Sequence, residues 1–132
     1  MNKTKSILFI LLFLFTGDPI FCQTWPKEYF INFPNFPTTV STTYDNGYMI
    51  GGQLFNFDES IQNGFLYRTD INGNILWNKT LTQSFEATSV FDVRQTSEGG
   101  YIIGGSTDKY DSWGDPFIMK LNPCGESEWC RI

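Results

Sequence analysis

Short apolar runs separated by turn residues recur along this chain and predict β-strands. The runs at residues 48–52, 65–69, 101–105 and 117–121 are largely continuous rather than alternating, which is typical of strands covered on both faces. Glycine-containing turns separate them, and Asn72-Gly73 is a strong hairpin signal because both residues tolerate positive φ. After the first two dozen residues no window shows sustained helical periodicity, so the pattern predicts an all-β protein.

The same pattern occurs twice. Residues 43–52 match residues 96–105 with six of ten positions identical, and residues 65–68 match residues 117–120. Gly73 then aligns with Gly125, and Trp77 aligns with Trp129. This periodicity predicts two repeats of four strands, at about residues 36–82 and 88–132. Each sheet must cover its apolar faces, so we expect the two sheets to stack and the aligned tryptophans to pack between sheets.

The first 22 residues have the plan of a secretory signal peptide. Lys3 and Lys5 precede an apolar run at residues 7–15, and the polar stretch at residues 16–19 ends it. The run is shorter than the ~20 residues of a membrane helix, so we expect no membrane span in the mature region, residues 23–132. Lipid attachment at Cys22 is an alternative, although the bulky Phe21 disfavours it. The expected location is secreted or at the cell surface.

Charge and composition exclude several classes of function. The whole chain has a net charge of −5, and removing residues 1–22 takes Lys plus Arg from 9 to 7 and Asp plus Glu from 14 to 13, a net charge of −6. No basic cluster follows the leader, which argues against nucleic acid as a partner. The chain has no histidine, which excludes Ser-His-Asp catalysis and histidine-based zinc sites. We therefore predict a non-enzymatic protein without a cofactor.

The repeat resembles a known family. Gly-Gly-Tyr-Ile-Ile-Gly-Gly-Ser-Thr at residues 99–107, Phe-Ile-Met-Lys-Leu-Asn at residues 117–122, a glycine and Trp129 are similar to the blade repeats of secreted bacterial β-propeller proteins. Residues 70–77 fit the last part of such a blade. The resemblance covers nearly all of the mature chain. It implies antiparallel four-stranded blades that present loops for binding or adhesion to a glycan or protein at the cell surface.

The resemblance also implies that blades are missing, because a propeller typically takes 4–8 of them. The chain is therefore expected to be the N-terminal piece of a longer protein or the product of a truncated open reading frame. An assembly of several copies and a small two-sheet domain are the alternatives. Trp25 stands where a preceding repeat would carry its tryptophan, so residues 25–31 are predicted to form a strand that pairs with an absent blade. Part of a polysaccharide-acting hydrolase or lyase, and a purely structural module, are the alternative functions.

Three sets of residues carry candidate chemistry. Cys124 and Cys130 form an even pair in an exported chain, which favours a disulfide, with free thiols or partners elsewhere as the alternative. Asp108, Asp111 and Asp115 are candidate calcium ligands, although solvated loop carboxylates are the favoured interpretation. Tyr110 and Trp113, together with Phe55 and Phe57, are assigned to loops. They are candidates for contact with a sugar or peptide, or have a structural role.

Overall fold

The computed structural model describes residues 27–29, 33–56, 61–82, 87–108 and 114–132. These residues contain eight strands: β1 (Asn35–Thr42), β2 (Tyr48–Asn56), β3 (Ile61–Thr69), β4 (Ile75–Leu81), β5 (Thr88–Gln95), β6 (Tyr101–Thr107), β7 (Asp115–Leu121) and β8 (Ser127–Arg131). They form two antiparallel sheets, sheet 1 with the order β1-β2-β3-β4 and sheet 2 with the order β5-β6-β7-β8. No helix occurs among the described residues. The all-β prediction is confirmed.

The two sheets are alike down to individual turns. The first turn of each is closed by the same pair of backbone groups: Thr43 N–H donates to the Gly47 carbonyl at 3.0 Å, and Thr96 N–H donates to the Gly100 carbonyl at 2.8 Å. The first strand of each sheet carries an irregularity at the same place, after Pro37 in β1 and after Val90 in β5. Equivalent positions in the sequence therefore occupy equivalent positions in the fold.

The second hairpin of each sheet is specified by a side chain at its start. Asp70 Oδ1 accepts hydrogen bonds from the backbone N–H groups of Asn72 and Asn74, both at 2.8 Å. In sheet 2, Asn122 Oδ1 accepts the equivalent bonds at Cys124 and Glu126. The turn glycines lie in the left-handed region, Gly73 at φ 76° and Gly125 at φ 80°. Short polar side chains and glycine favour this geometry, which explains why the sequence forms the hairpins locally.

One apolar core lies between the sheets. Sheet 1 contributes Met49, Leu66 and Leu81, and sheet 2 contributes a larger set: Val90, Val93, Tyr101, Ile103, Phe117, Met119 and Leu121. Trp77 of β4 crosses the junction and meets the Tyr101 ring edge to face, with centroids 5.8 Å apart. The predicted stacking and the packing of Trp77 are confirmed. The same prediction is wrong for Trp129, which lies on the face of sheet 2 away from the junction and is 37% exposed.

Gly51 shows how closely the sheets approach each other. A Cβ atom at Gly51 would lie 2.8 Å from Val90 Cγ1 of the opposite sheet. A side chain at this position would push the two sheets apart, since interiors are packed without spare volume. The glycine is therefore required by the neighbouring sheet.

A smaller apolar cluster covers the other face of sheet 1. Leu54, Phe65 and Tyr67 are buried there, with Tyr29 packed against them. Tyr29 belongs to the segment Lys27–Tyr29, the described part of the strand predicted at residues 25–31, and no strand is assigned to it. Trp25 lies outside the described residues.

Candidate functional site at the loop end of the sheets

The connections of the fold fall into two groups. The four turns that follow β1, β3, β5 and β7 lie at one end of the sheets, and the strand ends at Asn56, Leu81 and Thr107 lie at the other, here called the loop end. The turns keep the same length in both sheets, whereas the connection between β2 and β3 comprises residues 57–60 and that between β6 and β7 comprises residues 108–114. Variable connections on a regular scaffold are where binding residues concentrate.

A polar cluster joins the sheets beneath the loop end. Gln62 Nε2 donates to Gln53 Oε1 at 2.9 Å and also to Ser89 Oγ, and Ser89 Oγ donates to Gln53 Oε1 at 2.9 Å. Gln53 and Gln62 belong to sheet 1 and Ser89 to sheet 2. Each polar group therefore finds a partner across the junction, which offsets the desolvation of burial.

Next to this cluster is a polar pocket of about 200 Å³. Its lining comprises Gln62, Ala87, Ser89, Ser106, Thr107, Asp108 and Gly114. Amide, hydroxyl and carboxylate groups supply both hydrogen-bond donors and acceptors at close spacing. A small polar ligand, such as a sugar unit, matches that lining chemically.

Asp108 has a structural role in the rim of the pocket. Its Oδ1 accepts a hydrogen bond from Ala87 N–H at 2.6 Å, and its own N–H donates to the Ala87 carbonyl at 3.3 Å. These two bonds hold the start of β5 against the end of β6. Asp115 begins β7 and is paired with Thr107 of β6.

Two of the three candidate calcium ligands, Asp108 and Asp115, lie within the described residues. Asp111, Tyr110 and Trp113 lie outside the described residues, between Asp108 and Asp115. Within the described ranges no group of three metal-ligating side chains comes together. The calcium hypothesis and the ligand role of Tyr110 and Trp113 stay predictions. Phe57 also lies outside the described residues. The assignment of Phe55 to a loop is wrong, because Phe55 lies within β2 and packs against Phe36.

The cysteine pair is not bonded in this structure. Cys124 is exposed in the turn before β8, and Cys130 is half-buried near the far end of β8; both are free. Residues in a strand advance ~3.3 Å each, so Cys130 lies well beyond the 4.4–6.8 Å range of Cα distances that a disulfide needs. The extended strand between the cysteines is the physical reason that the expected pairing is not formed.

A second open groove lies on the outer face of sheet 1, with a volume of about 320 Å³. Its lining is mainly aromatic and aliphatic: Tyr29, Val40, Tyr48, Ile50, Thr69, Ile71, Asn72 and Gly73. This lining is less polar than that of the loop-end pocket. Its chemistry suits a packed protein surface better than a soluble polar ligand.

An ion pair at the opposite end of the sheets has a purely structural geometry. Asp45 Oδ1 accepts from Thr43 Oγ1 at 2.6 Å, and both Asp45 oxygens accept from Arg68 Nη2 at 2.5 Å. These bonds from Thr43 and Arg68 lower the pKa of Asp45 to about 2. Arg68 is buried and also donates from Nε to the Tyr101 hydroxyl of sheet 2 at 2.9 Å.

Sequence reasoning missed the polar cluster of Gln53, Gln62 and Ser89 and the network around Arg68. The bonds that join the two sheets link residues 27 and 36 positions apart in the cluster, and 33 positions apart for Arg68 and Tyr101. Only Asp45 and Arg68 gave a usable signal, since Glu98 and Lys120 occupy the same places in the second repeat and are also paired, at 3.0 Å.

The chain matches no protein-family model, and no curated protein shows significant similarity to it. Among the described residues, no helix is long and apolar enough to cross a membrane.

Proposed function

We propose that this chain is an exported, non-enzymatic repeat protein of the β-propeller type, and that its loop end binds a glycan at the cell surface. The observation that carries the proposal is that two alike four-stranded sheets stack directly, with the strand ends that border their variable connections at one end. A stack of this kind is a rigid scaffold for loops, which is how propeller-type proteins present binding residues.

The way the sheets stack supports the propeller interpretation. The face that sheet 1 turns to the junction carries Met49 and Leu66, whereas sheet 2 turns to it the face with Ile103 and Phe117. Ile103 corresponds to Ile50 and Phe117 corresponds to Phe65, which are the chain neighbours of Met49 and Leu66. Successive side chains of a strand point to opposite faces, so the two sheets meet through opposite faces of the repeat. A contact between unlike faces can be applied again to a third sheet, and such repetition closes a ring where the rotation between sheets divides a full turn.

The lining of the loop-end pocket supports a glycan over a catalytic substrate. Hydrolysis of a glycosidic bond ordinarily needs two carboxylates that flank the bond. Among the described residues of the pocket, Asp108 supplies a carboxylate, and its Oδ1 is engaged by Ala87. Tyr110 and Trp113 flank the same site in the sequence, and aromatic faces beside polar groups suit a sugar ring.

The test is to produce the full chain with its leader in a bacterial export host and to probe the exported product on a glycan array. We expect the product to begin after residue 22 by mass spectrometry and to bind a defined set of glycans. Trp113→Ala is expected to weaken that binding by tenfold or more, about 1.4 kcal/mol. Tyr44→Ala is the matched control, since Tyr44 is exposed in a turn at the opposite end.

Two results would contradict the proposal. The first is an exported, folded product that binds no glycan, or a Trp113→Ala variant that binds as well as the wild type. Either outcome would show that the loop end has no binding role. Release of sugar products that stops in Asp108→Asn would instead favour the polysaccharide-acting alternative.

A further inference from the structure

The repeat allows each buried position at the junction to be compared with its open counterpart. Val93 is fully buried against sheet 1, whereas Val40, the same position in sheet 1, is 67% exposed. Leu66 is fully buried, and its counterpart Ile118 on sheet 2 is 44% exposed. The fold therefore has two faces outside the junction whose residues match its two halves. The face of sheet 1 is open only in part, because Phe65 and Tyr67 are already buried there in the smaller cluster with Tyr29.

The open face of sheet 2 repeats the sheet 1 half of the junction. It carries Ile102, Gly104, Ile118, Lys120 and Trp129, which correspond in that order to Met49, Gly51, Leu66, Arg68 and Trp77. We call this set the sheet 2 face. Its clearest feature is Gly104. A Cβ atom there would meet nothing within 4 Å, whereas one at Gly51 would meet Val90 at 2.8 Å.

The open face of sheet 1 repeats the sheet 2 half of the junction. It carries Pro37, Val40, Tyr48 and Ile50, which correspond in that order to Val90, Val93, Tyr101 and Ile103. We call this set the sheet 1 face. It borders the groove of about 320 Å³. Tyr48 is 37% exposed where Tyr101 is buried under Arg68 and Trp77.

The segment Lys27–Tyr29 covers part of the sheet 1 face in the manner of β4. At the existing junction, β4 places Trp77 against the turn at Gly125, and Lys79 Nζ donates to the Gly125 carbonyl. At the equivalent turn of sheet 1, Tyr29 Oη donates to the Gly73 carbonyl at 2.8 Å.

Lys27 strengthens the comparison with β4. Its Nζ donates to Asn74 Oδ1 at 2.7 Å, next to Gly73. Lys27 precedes Lys79 by 52 residues, the same spacing that separates Gly73 from Gly125. The segment thus occupies the place that the last strand of a neighbouring sheet takes at the junction.

From these matches we infer that the sheet 2 face is a docking surface for the sheet 1 face of a second copy of this chain. In the docked pair, Trp129 of one copy packs on the Gly73 turn of the other and displaces Lys27–Tyr29. Gly104 receives Pro37, and the Lys120 ammonium approaches the Tyr48 hydroxyl as Arg68 approaches Tyr101. The contact joins unlike faces, so it propagates head to tail.

The inference rests on the packing of the described sheets and not on the glycan. Neither face includes the residues that line the loop-end pocket. Glycan binding and self-association can therefore fail independently, and each has its own readout.

The test is sedimentation velocity on the full exported chain across a wide range of concentrations. We expect concentration-dependent oligomers. Gly104→Val should fold normally, since its Cβ has open space, and should weaken association by about tenfold or more, because a larger side chain overpacks a tight junction. Val40→Lys should do the same from the other face. Tyr29→Ala should strengthen association, and Tyr44→Ala should leave it unchanged.

A mixture of two blocked variants makes the head-to-tail geometry falsifiable. Val40→Lys retains an intact sheet 2 face, and Gly104→Val retains an intact sheet 1 face. Together they should form a one-to-one complex that stops at the dimer, although neither variant associates strongly by itself. Circular dichroism verifies that both are folded.

Three results would overturn the inference. The first is a monomer at every concentration in both the wild type and Tyr29→Ala, which would assign the faces to a different chain. The second is unchanged association of Gly104→Val. The third is failure of the mixed variants to pair, which would indicate a symmetric contact elsewhere.

Discussion

Arg68 is a cation held in the core by partners from both sheets. Asp45 neutralises it, Tyr101 receives its Nε–H, and the Thr69 carbonyl accepts from Nη1. A buried charge of this kind is tolerated only when its donors are satisfied. The second repeat has Lys120 with Glu98 at the same positions, but there the pair faces solvent. The same two positions therefore serve as a buried clamp in one sheet and as a surface ion pair in the other.

Asp45→Asn should destabilise the protein in a pH-dependent way. The pKa of Asp45 lies at about 2, below its ordinary 3.8, because the Thr43 hydroxyl and the Arg68 guanidinium favour the carboxylate. Its contribution is thus present above pH 3.8 and is lost as the pH falls towards 2. Asp45 is largely exposed, so we expect a loss of only about 1 kcal/mol at pH 7.

Urea unfolding of wild type and Asp45→Asn at a series of pH values measures this effect. The two midpoints should differ at neutral pH and converge near pH 2. A constant difference over the whole range would show that the carboxylate charge is not what stabilises Arg68.

β4 and β8 are the same element of the repeat in two environments. Trp77 on β4 lies at the sheet junction, against the Tyr101 ring and the Gly125 turn. Trp129 on β8 is turned to the open face of sheet 2. Both strands have the same register with their neighbours, since Trp77 pairs with Arg68 and Trp129 pairs with Lys120. The burial of the two tryptophans differs because a second sheet packs against Trp77.

Trp77→Ala should therefore cost much more stability than Trp129→Ala. Removing a large aromatic side chain from a packed site costs about 3 kcal/mol, and we expect about 2–3 kcal/mol for the partly buried Trp77. Trp129→Ala should cost below about 1 kcal/mol in the monomer. Urea unfolding of the two variants at low protein concentration makes the comparison, and equal losses would contradict the assignment of the junction.

The two cysteines of the last hairpin should react as separate thiols. Cys124 is exposed in the turn, whereas Cys130 is half-buried beside Phe117 and Met119. We expect Cys124 to react rapidly with a thiol reagent and Cys130 to react slowly until the protein is denatured. A mass lower by two hydrogens in the exported protein, with no reactive thiol, would show instead that the pair is oxidised.

The two sheets share one core and should unfold together. Arg68, Trp77 and Lys79 reach from sheet 1 to sheet 2, and the cluster of Gln53, Gln62 and Ser89 joins them at the loop end. A single sheet of this size would leave one apolar face in water, which is marginal for independent stability. The junction is therefore what makes the described part of the chain a cooperative unit.

Gly51→Val tests that cooperativity. The new side chain would collide with Val90, and we expect a loss of about 1–3 kcal/mol. Tryptophan fluorescence and far-UV circular dichroism should report one coincident transition, shifted to lower urea. Two separate transitions, or an unshifted midpoint, would show that the sheets are not coupled through this contact.

The sequence by itself determined the strands, the hairpins and the repeat, because these depend on local chemistry. Asp70 and Asn122 set their turns through bonds to groups at most four residues away. The continuous apolar runs also predicted that Met49, Ile102 and Phe117 are shielded from water; Met49 and Phe117 are buried, whereas Ile102 is half-buried. At the candidate site, the sequence identified the polar connection between β6 and β7, which begins at Asp108.

Only the tertiary structure decided which face of each repeat is covered. Both faces of these strands are apolar, so the pattern does not distinguish the buried Met49 from its counterpart Ile102, which lies half-buried on the open face of sheet 2. The local pattern also did not pair Gln62 with Ser89 or Arg68 with Tyr101, because these partners belong to the other sheet. Burial is a property of the surface placed opposite, and that surface comes from the other sheet.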